Sequence, residues 1–433
     1  MATPGNVKGI PSKYNFVMAS AAKQSSKLAD SADCGSSRPF GAFHEPSDYS
    51  SLRAKRGKLR SPRCRHCEAA GRGSRDDGLI SLKRVVLRAL AAGAVFALAG
   101  CAVAPSEPER TAAAVQPVFP APPAAARFRF ERTLYGAKDV LGQAEGAALR
   151  KFLHHDHQGT GPGLASPHAL AVDRGRVFVS DLAERQIDVF DIPGRRYYRI
   201  GAAGPGTLQK PLGLSIDRAA GRLFVADAGA NAVLVFDEQG QYQRSIGGPQ
   251  WFTHLFSVTA DPDGERIYAI DSGEGGKGEA RVRVFAARDG RHLFDFGERG
   301  SGPGEFNTPY DLAVGSGGKL YVTDSGNFRV QIFDHQGKYL RSFGTAGTRP
   351  GQFGRPKAIA ADAAGEVYVV DALLGNFQVF DARGAFLFAV GGHGEDGGPL
   401  SYLLPSGIAI DADGSVYFLD QGYRRIDVFR PLP

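Results

Sequence analysis

Four short patterns of apolar residues recur along the C-terminal two thirds of the chain, each bounded by Gly, Asp or Pro. The second pattern is the most regular, and its six copies read GRVFVSD, GRLFVAD, ERIYAID, GKLYVTD, GEVYVVD and GSVYFLD. It is rich in β-branched and aromatic residues, which predicts a strand. Its apolar residues are consecutive rather than alternating, so we expect both faces of this strand to be buried.

The other three patterns accompany the second one in a fixed order. The first pattern opens on Pro in five copies, PHALAVD, PLGLSID, PYDLAVG, PKAIAAD and PSGIAID, while the copy LFSVTAD opens on Leu255. The third resembles RVQIFD and the fourth resembles LRSFG, and the whole unit repeats at spacings of 44 to 54 residues. Four short strands in each of six units predict an all-β fold, a six-bladed β-propeller.

The fourth pattern is missing from the last unit, because the chain ends at Pro433 soon after the third. A further copy, RFERTLYG, lies at residues 129–136, before the first unit. We therefore predict that an N-terminal strand completes the last blade, which would leave no strand edge exposed. On this interpretation residues 128–433 form one propeller domain.

These patterns resemble the NHL repeat family of six-bladed propellers. The stretch PYDLAVGSGGKLYVTDSGNFRVQIFDHQGKYLRSFG at residues 309–344 is the most similar unit. The resemblance implies the fold. It leaves the function open, because the family includes binding scaffolds, sensor domains and a few lyases that hold zinc with channel histidines.

Residues 81–100 have the layout of a secretory signal. Lys83, Arg84 and Arg88 precede an apolar run that is too short to span a bilayer, and small residues then lead to Cys101. The ending LAGC resembles the lipobox of bacterial lipoproteins, which implies that Cys101 carries the lipid. The resemblance places the protein in the cell envelope, anchored to a membrane and facing the periplasm. Ala102 favours the outer membrane.

The segments on either side of this signal differ from a folded domain. Residues 101–127 are rich in Ala and Pro and are expected to form an extended tether. Residues 1–80 have no sustained apolar period, so we expect them to be disordered or to result from a translation start assigned too far upstream.

The charge of the chain is divided unevenly. Residues 1–100 carry a net charge of +10, whereas the remainder carries −3. The part after the signal therefore lacks the basic excess that nucleic-acid binding requires, and we expect no nucleic-acid partner. Cys101 is the only cysteine in this part, so it contains no intrachain disulfide.

The order of strands in a meander separates the two ends of the ring. Turns between the first and second strands, and between the third and fourth, lie at one end, which we call the hairpin end. Turns between the second and third strands, and the links between blades, lie at the other, the loop-rich end. Turns at the hairpin end are short, as in DPDG and DADG, while those at the loop-rich end vary in length. Variable loops on a rigid scaffold commonly bind ligands. The candidate residues at this end are Trp251, His168, His254, Tyr310, Lys357 and Ser406.

Histidines offer an alternative chemistry at the loop-rich end. His154 and His157 lie in HHDH, after a possible apolar helical stripe at residues 141–153, and His168 and His254 lie near the channel mouth. They are candidate metal ligands, although an exposed polar helix end is the interpretation we favour for HHDH. We expect no cofactor, with zinc or calcium as the alternative. The leading hypothesis is a non-enzymatic binding or scaffolding module for a protein or envelope ligand, and the alternative is a zinc-dependent lyase or hydrolase.

Overall fold

The structure is a computed structural model, and it describes residues 117–141, 163–273, 278–395, 397–398 and 400–433. These residues form 28 strands and three 3-10 helices, Ala137–Asp139, Ser316–Gly318 and Ser325–Asn327. No helix in the described ranges is long and apolar enough to cross a membrane. The signal, Cys101, His154 and His157 lie outside the described residues, as does the predicted helical stripe apart from Leu141.

Six sheets make up the blades. Blade one contains β3 (Pro167–Asp173), β4 (Arg176–Asp181), β5 (Gln186–Asp191) and β6 (Arg196–Ile200). Blade two contains β7 (Pro211–Asp217), β8 (Arg222–Asp227), β9 (Ala232–Asp237) and β10 (Tyr242–Gly247). Blade three contains β11 (Leu255–Ala260), β12 (Arg266–Asp271), β13 (Arg281–Ala286) and β14 (His292–Phe296). Blade four contains β17 (Pro309–Val314), β18 (Leu320–Asp324), β19 (Arg329–Phe333) and β20 (Tyr339–Phe343).

The last two blades each carry an additional short strand. Blade five contains β21 (Pro356–Ala361), β22 (Val367–Asp371), β23 (Asn376–Phe380), β24 (Phe386–His393) and β25 (Ser401–Tyr402). Blade six contains β26 (Pro405–Ile410), β27 (Val416–Asp420), β28 (Arg425–Pro431), β2 (Phe128–Leu134) and β1 (Val118–Phe119). Two short strands between blades three and four, β15 (Glu298–Arg299) and β16 (Glu305–Phe306), pair in parallel.

The six sheets form a closed ring around a central channel. The first strand of each blade lies against those of its two neighbours, in the order β3, β7, β11, β17, β21, β26 and back to β3. In blade six, β2 pairs antiparallel with β28, with Leu134 opposite Ile426. The prediction of an all-β, six-bladed propeller is confirmed.

The core is divided among the blade interfaces. Phe224 and Phe285 pack between blades two and three, and Phe377 and Phe418 pack between blades five and six with ring centroids 5.0 Å apart. The second strands are buried along almost their whole length, as the consecutive apolar residues predicted. A blade therefore depends on both neighbours to cover its faces.

Six buried aspartates end the second strands and fasten the loops of the loop-rich end. They are Asp181, Asp227, Asp271, Asp324, Asp371 and Asp420. Asp181 is representative: its carboxylate accepts the N–H groups of Ala165 at 2.7 Å and Ser166 at 3.0 Å from the incoming link, and those of Ala183 and Glu184 from the following turn. These contacts support a structural role for the recurring aspartate, since ionised carboxylates are strong acceptors for backbone N–H groups.

Candidate functional site

The second residue of each first strand lies where the channel opens at the loop-rich end. We call this set the mouth ring, and its members are His168, Leu212, Phe256, Tyr310, Lys357 and Ser406. The repeat predicts this arrangement, because equivalent positions in six blades must lie at one height in the channel. Four members were candidate residues from the sequence. Phe256 and Leu212 were not, although the repeat register alone could have identified them.

One side of the mouth ring is aromatic. The ring of Phe256 lies 4.6 Å from that of Tyr310 in an edge-to-face arrangement, and His168 lies 5.9 Å from Phe256 and 6.2 Å from Tyr310. His254, which precedes β11, lies 5.9 Å from Phe256, and its Nδ1 is 3.0 Å from the hydroxyl oxygen of Ser272. These side chains offer aromatic ring surfaces to a ligand entering the channel.

The other side of the mouth ring is polar. The ammonium of Lys357 lies 5.6 Å from the centroid of the Tyr310 ring, in a cation–π arrangement. Ser406 follows in the adjacent blade, and its buried hydroxyl has no hydrogen-bond partner within the described chain. Lys357 and Ser406 are only 5% and 2% exposed, so both side chains belong to the channel rather than to the outer surface.

Burial changes the protonation of the mouth ring. Desolvation lowers the pKa of Lys357 to about 8, with Arg355 adding repulsion. Desolvation, together with the charges of Lys357 and Lys210, lowers the pKa of His168 to about 4. Burial raises the pKa of the Tyr310 hydroxyl above its usual range. At neutral pH the mouth ring therefore contains one cation, a neutral imidazole and two neutral hydroxyls.

A small cavity of about 30 Å³ lies at the mouth ring, lined by His168, Phe256, Tyr310 and Ser406 among others. This volume holds roughly one or two groups the size of a water molecule. Asp311 lines its floor, and its carboxylate accepts the hydroxyl of Ser257 at 2.7 Å and the N–H of Ile359 at 3.0 Å. Burial raises the pKa of Asp311 to about 6.

Below Asp311 the channel widens into a second cavity of about 250 Å³. Arg218 lines this cavity and donates to the carbonyls of Val172 at 3.2 Å and Ile410 at 2.9 Å, which joins blades two, one and six. Backbone and apolar side chains form most of its wall. Its polar side chains besides Asp311 are Arg218, Ser215 and Thr259.

Trp251 does not join the mouth ring. Its indole stacks on the His292 ring at 4.4 Å and packs edge-on against Phe285 at 5.7 Å, both in blade three. This packing accounts for a large side chain in the link, and the sequence did not reveal it because His292 lies 41 positions further along. We therefore leave Trp251 out of the candidate site.

The candidate metal ligands are only partly described. Among the described residues no group of three His, Cys, Asp or Glu side chains is placed to hold a metal ion. His168 and His254 both lie beside Phe256, while His154 and His157 are outside the described ranges. The described residues therefore provide no donor set on which a metal mechanism could be built.

Exposed apolar side chains surround part of the loop-rich end. Seven large apolar residues in the described chain are exposed, and five of them belong to the turns and links of this end, whereas none lies in a hairpin-end turn. We call these five the apolar rim: Tyr135, Leu141, Phe328, Leu373 and Leu403. They follow the ring from blade four through blades five and six to the link into blade one.

Two members of the apolar rim rest on neighbouring glycines. A Cβ atom at Gly354 would come within 2.6 Å of the Leu373 side chain, and one at Gly422 within 2.8 Å of Leu403. In each case the leucine comes from one loop and the glycine from the adjacent one. The apolar rim is thus positioned by contact between loops, which reduces the entropy lost when a partner binds.

Comparisons with known proteins agree with this architecture. A family model of the NHL repeat matches residues 306–333, and a model described as a 6-bladed beta-propeller matches residues 214–275. NHL repeat-containing protein 3 from Homo sapiens is 32% identical over 102 residues, which cover 24% of this chain and 28% of that protein. Its counterpart from Mus musculus is 35% identical over 86 residues, 20% of this chain and 24% of that protein. The chain thus spans about a quarter of the length of these curated relatives.

A solved structure is similar in fold. A protein of unknown function from Bacteroides thetaiotaomicron superposes with a TM-score of 0.51 at 16% identity, covering 63% of this chain and 71% of that chain. At this identity the likeness concerns the fold alone. The chain therefore contains an NHL repeat and folds as a six-bladed β-propeller.

Proposed function

We propose that this chain is a lipid-anchored binding or scaffolding propeller of a bacterial cell envelope, facing the periplasm. In this proposal residues 81–100 are the signal, Cys101 carries the lipid, and Ala102 directs the protein to the outer membrane. The tether is shorter than the predicted 101–127, because Val118 and Phe119 already pair with β2 in blade six. The order of a basic segment, an apolar run and LAGC supports the anchor. Several acyl chains hold a protein far more firmly than one would.

The observation that carries the binding function is the apolar rim. Apolar side chains exposed singly are ordinary, but a set confined to one end of a ring is typical of a surface that contacts another protein. Leu373 is 60% exposed and is nevertheless held in place by Gly354. We therefore assign to the loop-rich end of blades four to six an envelope protein partner with an apolar contact surface.

A capture experiment tests this assignment. The tagged chain is crosslinked in intact cells, and the captured protein is identified and quantified for Phe328→Ser and Leu373→Ser. The matched controls are Leu340→Ser and Leu387→Ser, which remove leucines that are 46% and 41% exposed but lie on the outer strands β20 and β24. We expect each rim variant to weaken capture about tenfold, or ~1.4 kcal/mol. Equal capture by rim and control variants would place the contact elsewhere.

The lipid anchor is tested separately. The substitution Cys101→Ser removes the thiol that would be acylated, so labelled palmitate should no longer be incorporated and the signal should be poorly processed. The matched control is Ser106→Ala, which changes a residue shortly after Cys101 and leaves the lipobox intact. Palmitate labelling that persists in Cys101→Ser would exclude the anchor without affecting the capture result.

Metal analysis separates this proposal from the zinc-enzyme alternative. Stoichiometric zinc that survives dialysis of the purified chain, and that is lost in His154→Ala or His157→Ala, would favour the alternative. Zinc at well below one equivalent would favour the binding module.

A further inference from the structure

The polar side chains of the mouth ring share one property, which is that their polar atoms have no hydrogen-bond partner in the described chain. The hydroxyl of Ser406 is buried and without a partner. The side chains of Lys357, Tyr310 and His168 make ring contacts, and among the described residues their polar side-chain atoms make no hydrogen bond or ion pair, although the carbonyl of Lys357 accepts the Thr323 hydroxyl at 2.6 Å. Buried polar groups are normally paired, so the Ser406 hydroxyl in particular calls for a partner.

The chemistry of these groups is dominated by donors. The Lys357 ammonium has three N–H donors, and the hydroxyls of Ser406 and Tyr310 add one each. An ionised carboxylate is the complementary group, because it accepts hydrogen bonds and donates none. It also carries the single negative charge that one ammonium would neutralise.

The dimensions of the mouth ring limit what enters it. The cavity of about 30 Å³ holds only one or two water-sized groups, its floor is the Asp311 carboxyl, and Lys357 is not among its lining residues, so a ligand carboxylate would stay above it, at the level of the mouth ring. Above it, Phe256, Tyr310 and His168 offer ring faces within 4.6 to 6.2 Å of one another. A flat apolar body attached to a carboxylate would therefore stack at the opening while its carboxylate enters the polar side.

We propose that the mouth ring binds a small aromatic or similarly flat monocarboxylate, with Lys357 and Ser406 on the carboxylate and Phe256, Tyr310 and His168 against the ring. The assignment rests on the proposed function in that it gives the same loop-rich end a small-molecule ligand. Phosphate is the other common oxyanion, but it carries up to two negative charges, and the mouth ring offers a single ammonium, that of Lys357.

Calorimetric titration of the full chain at pH 5, where Asp311 is mostly protonated and Lys357 is charged, tests the proposal with benzoate, benzamide and inorganic phosphate as probes. Benzamide has the shape of benzoate without its charge. We expect one saturable benzoate site, with benzamide binding at least tenfold more weakly and phosphate more weakly than benzoate. No saturable benzoate binding, equal binding of benzamide, or tighter binding of phosphate would each overturn the proposal.

Variants then locate the site. Lys357→Met keeps the length of the side chain and removes its charge, so benzoate affinity should fall at least tenfold, and Ser406→Ala should reduce it about threefold. Lys338→Met removes an exposed lysine from a hairpin-end turn and should change nothing. Ser406→Ala removes a single oxygen and will fold even if Lys357→Met does not. Unchanged affinity in Ser406→Ala and in a folded Lys357→Met would overturn the assignment.

The result is independent of the apolar rim. Loss of partner capture with benzoate binding intact would refute the proposed protein contact alone. Capture intact with no benzoate binding would refute the carboxylate site alone.

Discussion

Asp311 should make the stability of the propeller depend on pH in a direction that a single substitution can reveal. Burial raises the pKa of its carboxyl from 3.8 to about 6, so the folded state holds this proton more tightly than the unfolded state does. The contribution to stability is complete below pH 3.8 and is lost as the pH rises through about 6. Asn at this position cannot titrate and removes the effect.

The magnitude follows from the size of the shift. A change of about two pKa units corresponds to ~3 kcal/mol in the free energy of unfolding, at 1.36 kcal/mol per unit. The free energy of unfolding of the wild type minus that of Asp311→Asn should therefore fall by ~3 kcal/mol between about pH 3.5 and 7. Any hydrogen bond that Asn fails to make with Ser257 or Ile359 enters at both pH values and largely cancels.

Urea unfolding at a series of pH values measures this difference. Trp251 is the only tryptophan in the chain and stacks on His292, so its fluorescence reports the loss of blade packing. A difference between wild type and Asp311→Asn that stays flat across this range would show that the carboxylate is not desolvated. A difference that increases with pH would show that the channel stabilises the anion, which would reverse the reasoning.

His168 provides a control of opposite sign. Its pKa is lowered from 6.5 to about 4, so the unfolded state binds the proton more tightly. Its contribution is present above pH 6.5 and is lost as the pH falls through about 4. The free energy of unfolding of the wild type minus that of His168→Phe should therefore fall by ~3 kcal/mol as the pH is lowered. Over the same pH range the corresponding difference for Asp311→Asn should rise.

Two substitutions test the packing of blade six by thermal melting. Leu134→Ala removes a fully buried side chain opposite Ile426 and should lower the free energy of unfolding by ~3 kcal/mol. Leu340→Ala, on an equivalent fourth strand but half exposed, should lower it by less than ~0.5 kcal/mol. Equal losses in the two variants would refute the role of Leu134. Arg425 is buried and donates to the carbonyls of Gly397 at 2.8 Å, Gly398 at 3.1 Å and Ser401 at 2.8 Å. Arg425→Lys loses some of these hydrogen bonds and should lower the free energy of unfolding by ~2 kcal/mol. A loss smaller than ~0.5 kcal/mol would contradict this.

The sequence predicts the fold better than the site because the two depend on different information. Strand positions and blade number follow from local patterns such as GKLYVTD, which need no knowledge of distant contacts. The mouth ring is partly accessible in the same way, since His168, Tyr310, Lys357 and Ser406 each follow the Pro that opens a first strand. Phe256 was missed because blade three has Leu255 in place of that Pro.

Properties that arise between blades could not be predicted. The raised pKa of Asp311 depends on its burial among strands of three blades, with Ser257 from blade three and Ile359 from blade five as donors. The sequence suggests Trp251 as a binding residue because its stacking partner, His292, is distant along the chain. The donors to Asp311 are in place only once three blades have assembled, and the partner of Trp251 is in place only once blade three has folded.

The buried aspartates that end the second strands make the loops exchangeable. Asp371 holds the link before β21 and the turn after β22 through N–H groups of the main chain, and almost any side chain can be attached to those groups. New sequences could therefore be grafted into one blade while its framework is kept, provided that the aspartate and the loop length remain. The propeller is in this sense a display scaffold, on which the binding loops can change in sequence while the packing of the core stays the same.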